Sequence, residues 1–238
     1  MTSVLNAEKL SKSYGQRSVV DELSLCVEPG ELVALVGANG AGKTTTLAML
    51  SGQLVPDAGQ IKISGHEVYS DPIAARRALG YVAQDLILPP YLTIEEMAEF
   101  AVAVKERVFA EKEFRRLLEL AGLADDGDRL IGELSHGMQR KAAWVVALVS
   151  APKVLIVDEG LAGLDATSCR AIVDEVANQI KSGMAVLWTE HDLEGFSQYL
   201  DRVLVLAQGK LVETISGDVI READARDPMS SILERWAS

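Results

Sequence analysis

Three runs along the chain are apolar at every position, at residues 32–36, 154–157 and 185–188. That is the pattern of strands covered on both faces, as in the parallel sheet of an α/β protein. Looser apolar patterning at residues 4–10 and 19–27 predicts two antiparallel strands with Gly15 and Gln16 in the turn between them. Residues 59–63 read as a further strand, 72–79 as a short helix, and the chain around Tyr81 as a strand again. From 92 to 123 the period changes: Ile94, Met97, Phe100, Ala101 and Val104, then Phe114, Leu117, Leu118 and Ala121, fall at helical spacing with no strand between them. Helices are predicted over 44–50, 137–149 and 166–180, and residues 203–206 and 211–214 flank Gln208-Gly209 as a closing hairpin. The tail from Asp218 reads as one or two short helices. These elements predict a single α/β domain over residues 1–238, with a helical subdomain at about 86–150 inserted into the strand-bearing core.

Composition narrows the function classes. A net charge of -12 argues against a nucleic-acid footprint, which needs clustered Lys and Arg, and against direct binding to anionic lipid. Cys26 and Cys169 lie far apart without metal-ligand spacing, so they read as thiols in a reducing compartment. The first residues carry no signal-peptide core, and no run approaches the ~18 apolar residues of a membrane span. The expectation is a cytoplasmic protein with no direct membrane insertion, any membrane role coming through a partner.

The strand at 32–36 runs directly into GANGAGKTT, and a helix follows. Gly37, Gly42, Lys43 and Thr44 fit G-x-x-x-x-G-K-[ST], the P-loop pattern, in the order strand, loop, helix. Glycines let the backbone N-H groups close on phosphate oxygens at the positive end of the helix. Asn39, Gly40, Ala41, Gly42, Lys43, Thr44 and Thr45 are therefore the predicted ATP cradle, with Lys43 on the β/γ-phosphates and the Thr44 hydroxyl on Mg²⁺. A P-loop NTPase core follows.

In VLIVDEG, Asp158 and Glu159 close a buried strand on the side where α/β sheets bind ligands. Asp158 suits the Mg²⁺ site, and Glu159 is placed to polarise an attacking water. The same two residues could also begin a solvated loop or cap a helix.

With these motifs in place, the sequence resembles the nucleotide-binding subunits of ABC transporters from Lys9 to about Thr214. The resemblance implies the ABC ATPase fold, a P-loop core joined to an antiparallel β subdomain and an inserted helical one. It makes Tyr14 the aromatic residue that stacks on adenine, where the residues alone suggest an ordinary strand-end tyrosine. Gln84 in YVAQD matches the Q-loop glutamine, which touches Mg²⁺ or the water. LSHGM matches the signature, whose Ser135 and Gly137 would donate to the γ-phosphate held by an opposite subunit; otherwise Ser135 is a simple helix cap. Asp165 in LAGLDA matches the D-loop at the dimer interface, and His191 in TEHD the switch histidine that reaches the γ-phosphate.

Two departures from the family pattern stand out. His136 and Met138 replace the usual Gly and Gln, similar to ATPases of ABC-2 type exporters, and Gly160 stands where proline is common. The resemblance thus implies an ATPase with Mg²⁺ that works as a homodimer, or with a related ATPase subunit, docked on integral membrane permease subunits at the inner face of the membrane. Two alternatives remain at this point: a soluble ABC ATPase serving an assembly such as iron-sulfur cluster biogenesis, and a nucleotide sensor that does not hydrolyse.

Overall fold

The structure, a computed structural model, describes residues 3–84, 88–190 and 195–222. Two sheets organise them. Strands β1 (Leu5–Tyr14), β2 (Arg17–Val27), β4 (Ala58–Ile63) and the short β5 (His66–Glu67) form an antiparallel sheet in the order β2-β1-β4-β5. The second sheet contains β3 (Leu32–Val36), β6 (Leu79–Val82), β7 (Val154–Asp158), β8 (Ala185–Thr189), β9 (Arg202–Ala207) and β10 (Lys210–Ser216). Its order is β10-β9-β3-β8-β7-β6, parallel throughout except for the β9-β10 hairpin at one edge.

The all-apolar strands behave as their sequences require. Along β3, Leu32, Ala34 and Val36 join one core cluster while Val33 and Leu35 join another, and β7 and β8 divide in the same alternating way. One cluster lies under the long helices; the other lies under the antiparallel sheet and helix α1 (Lys43–Leu50). The parallel sheet is therefore the middle layer, and the carboxyl ends of β3, β6, β7 and β8 all emerge at one edge of it.

Helix α2 (Pro72–Ala78) leads into β6. Between β6 and β7 the chain forms α3 (Ile94–Val104), α4 (Glu111–Ala121) and α5 (His136–Val149), and both α3 and α4 pack on α5. The buried face of α3 differs from the one its periodicity suggests. Ile94, Ala98 and Val102 are buried, whereas Phe100 and Val104 face out at 58% and 49% exposure. A capping box fixes the start of this helix: Glu96 N donates to Thr93 Oγ1 at 3.1 Å, and Thr93 N to Glu96 Oε2 at 2.9 Å. Helix α6 (Ala166–Lys181) covers the sheet beside α5, and α7 (Gly217–Glu222) closes the described chain; the rest of the predicted tail lies outside the described residues. No helix among the described residues is long and apolar enough to cross a membrane.

Candidate functional site

The loop between β3 and α1 is shaped by two close approaches. A Cβ on Gly37 would sit 2.3 Å from the Leu206 carbonyl oxygen of β9, and Gly42, at φ 108°, would place one 2.6 Å from Val19 O. No L side chain fits at either position, so the loop is bound to glycine there. Helix α1 then begins without a side-chain cap or an acidic residue in its first turn, which leaves its positive end open to an anion. Lys43 is 8% exposed, and its ammonium donates back to Gly37 O at 2.7 Å and Ala38 O at 3.4 Å. Burial lowers its pKa, against the pull of Glu159 and Asp158.

A cavity of ≈ 530 Å³ opens over this loop, lined by Tyr14, Arg17, Val19, Asn39, Gly40, Gly42, Lys43, Thr44, Thr45, Gln84 and Glu159. Ala41 lies beneath, in the core. At the end of β7, Asp158 is buried, and its Oδ1 accepts from Thr189 Oγ1 at 2.8 Å. Burial raises its pKa and the adjacent Glu159 charge adds to the rise, while hydrogen bonds from Thr189 and Thr44 oppose it. Glu159 has a left-handed backbone, φ 49°, and its Oε2 accepts from Gln84 Nε2 at 2.8 Å.

The donor set fits Mg²⁺ with a triphosphate. Among the described residues no cluster of three or more His, Cys, Asp or Glu could hold a metal by itself. A single carboxylate with a threonine hydroxyl is what Mg²⁺ takes when phosphates supply the remaining ligands. Burial disfavours the ionised form of Asp158, a cost that a cation bound beside it would offset.

Besides Ala41, the predicted nucleotide-binding residues Ser135, Gly137 and Asp165 do not line this cavity. Ser135 caps α5, its Oγ accepting from Met138 N at 3.3 Å. A Cβ on Gly137 would lie 3.7 Å from Gly163 O, so the LSHGM and LAGLDA segments of one chain adjoin each other. Asp165 caps α6 through Ser168 N at 2.9 Å and pairs with Lys141 at 2.9 Å, contacts that hold its carboxyl well below the usual range. His191 lies outside the described residues.

Sequence reasoning passed over three residues. Arg17 and Val19 line the cavity; their only sequence signal is nearness to Tyr14. Arg140, 8% exposed, reaches the backbone of both Gln84 and Glu159. Its place one turn before Trp144 puts it on the core face of α5, and this is the signal that could have found it.

Gly160 has a packing reason. Its carbonyl accepts from Trp144 Nε1 at 2.9 Å, and a Cβ there would lie 2.5 Å from Val157 Cγ1 and 2.8 Å from Trp144 Cζ2. Trp144 in turn packs on Trp188, and Trp188 stacks on Phe196, with ring centroids 5.2 Å and 4.8 Å apart. Gly160→Ala should therefore destabilise the fold by about 1–3 kcal/mol through overpacking. Urea unfolding measures this, and an unchanged midpoint would show that the tryptophan has room to move.

The profile of the ABC transporter family matches residues 20–162. The chain belongs to the ABC transporter family. Among its relatives, the linearmycin resistance ATP-binding protein LnrL of Bacillus subtilis is 33% identical over 88% of this chain and 68% of its own length. The Nod factor export ATP-binding protein I of Paraburkholderia xenovorans is 37% identical over 88% of this chain and 70% of its own. The Fe(3+) ions import ATP-binding protein FbpC of Rhizobium etli is 36% identical over 92% of this chain and 62% of its own. A solved ATP-binding subunit of an ABC transporter superposes with a TM-score of 0.87 at 28% identity, covering 98% of both chains. The two sheets and the helices between β6 and β7 are thus those of the ABC ATPase fold, and the chain is an ATP-binding cassette ATPase.

Proposed function

We propose that this cassette is the engine of a membrane exporter, working as a homodimer whose ATP sites each combine two chains. The observation that carries this reading is the division of its predicted nucleotide residues. Lys43, Thr44, Gln84 and Glu159 surround one cavity, whereas Ser135 and Gly137 lie off it. A second copy placed head to tail would bring its Ser135 cap and α5 N-terminus over the cradle, adding a hydroxyl and open N-H groups to the γ-phosphate. Lys43 and the loop amides hold the triphosphate, and Tyr14, 54% exposed at the end of β1, offers a ring for adenine. Glu159 takes up the proton of the attacking water, Gln84 orients the pair, and His191 completes the γ-phosphate site. Mg²⁺ held by Thr44, Asp158 and Gln84 would neutralise the charge developing on the phosphates. Closure on ATP and reopening after hydrolysis would move permease subunits at the inner face of the membrane.

Export is supported by the LSHGM variant and by relatives named for export and linearmycin resistance, although a relative named for iron import shares the cassette. Relatives named for export and for import favour a permease partner over a soluble assembly machine.

Mixing two inactive variants tests the shared site. Lys43→Ala removes the cradle and Ser135→Arg blocks the signature, so each alone should be inactive. In a mixed dimer one site receives both defects and the other neither. An equal mixture should recover up to about a quarter of the wild-type phosphate release, since half the dimers are mixed and each has one sound site. No recovery from any mixture would rule out a pocket built from two chains.

A further inference from the structure

Helix α5 carries a buried guanidinium beside the hydrolytic residues. Arg140 follows the Ser135 cap by little more than one turn. Its Nη2 donates to Gln84 O at 2.8 Å and its Nη1 to Glu159 O at 3.1 Å. The same two residues meet a second time through their side chains, Gln84 Nε2 donating to Glu159 Oε2 at 2.8 Å. Backbone and side chains of residues 84 and 159 thus form a closed ring with the guanidinium as one side. Gln84 follows β6 and Glu159 follows β7, so Arg140 ties the two segments by their backbones where hydrogen-bonded side chains already meet.

Glu159 needs such a hold. Its φ of 49° lies in the left-handed region, which a side chain with a Cβ keeps only where the surroundings over-determine it. Relaxation of that residue would swing its carbonyl and re-aim its carboxylate. Arg140 fixes this carbonyl, and Trp144, one turn later on the same helix, fixes the next one at Gly160. Arginine suits the task because its planar fork presents several donors in fixed directions, whereas a lysine ammonium is a single point on a flexible stem.

We propose that Arg140 is a positioning residue for ATP hydrolysis: by clamping the carbonyls of Gln84 and Glu159, it sets the direction of the Glu159 carboxylate. The inference rests on the reading of Glu159 as the water-polarising group. Since Ser135 and Arg140 ride on one helix, a shift of the signature when a second copy docks is carried to the carboxylate of its own chain.

Steady-state hydrolysis by the full chain with Mg²⁺ and ATP tests it. Misaiming a catalytic group slows the chemical step more than substrate binding, so Arg140→Met should lower kcat by about tenfold or more and leave the KM for ATP within about twofold. Arg140→Lys should fall between wild type and Arg140→Met, and it decides the matter if the methionine variant does not fold. A wild-type kcat for Arg140→Lys overturns the proposal. If Glu159→Gln turns over normally, the reading beneath it has failed; if that variant is dead while Arg140→Lys is normal, only the clamp has.

Discussion

Glu159→Gln should bind ATP at least as tightly as wild type, lose turnover by a factor of about 10² or more, and accumulate as an ATP-bound dimer. The substitution keeps the shape of the side chain, and its amide oxygen can still accept from Gln84, so the ring through Arg140 survives. What disappears is the proton acceptor and one negative charge. That charge stands beside buried Asp158, whose pKa burial raises and Glu159 raises further, and its loss relieves a cavity about to receive a polyanion. Binding should therefore not weaken while hydrolysis nearly stops, and the closed dimer persists because nothing reopens it. Phosphate release and size-exclusion chromatography with and without Mg²⁺-ATP read the two effects separately. Normal turnover would take Glu159 out of its role, and a monomer that binds nucleotide without associating would count against the shared site.

The parts of this molecule that were legible in its sequence are those whose cause is local. β3 and the first four residues of β7 and β8 are apolar at every position in the core of the parallel sheet, so their patterns admit few alternatives, and the cradle from Gly37 to Thr45 is contiguous. The exposed face of α3 was harder. Phe100 and Val104 are as apolar as their buried neighbours, and only the position of α5 decides that Ala98 and Val102 face inward. The two-residue strand β5 exists only as the partner of β4 and has no pattern of its own. Arg140 shows the same limit at the site: its partners lie 56 and 19 residues away and are backbone carbonyls, which leave no trace in the sequence. Asp165 was identified by resemblance as an interface residue, and within its own chain it serves as helix cap and ion-pair partner.

Lys43→Ala should act in the opposite sense to Glu159→Gln, weakening ATP binding by about tenfold to a hundredfold, the size expected for loss of one or two charge-assisted hydrogen bonds. The ammonium is buried against the loop carbonyls at Gly37 and Ala38, and Asp158 and Glu159 both favour its charged form. Removing it deletes a donor to the phosphates and leaves the two carboxylates without that cation, so the arriving triphosphate meets net repulsion. ADP binding should suffer less, because ADP lacks the γ-phosphate that the lysine reaches. The two substitutions are thus coupled through one electrostatic balance, and the Lys43→Ala, Glu159→Gln double variant should bind ATP more tightly than Lys43→Ala alone. Equilibrium titration with a fluorescent ATP analogue measures all four proteins. Unchanged affinity in Lys43→Ala would contradict the cradle; equal affinity in the single and double variants would show that Glu159 exerts no field on the bound phosphates.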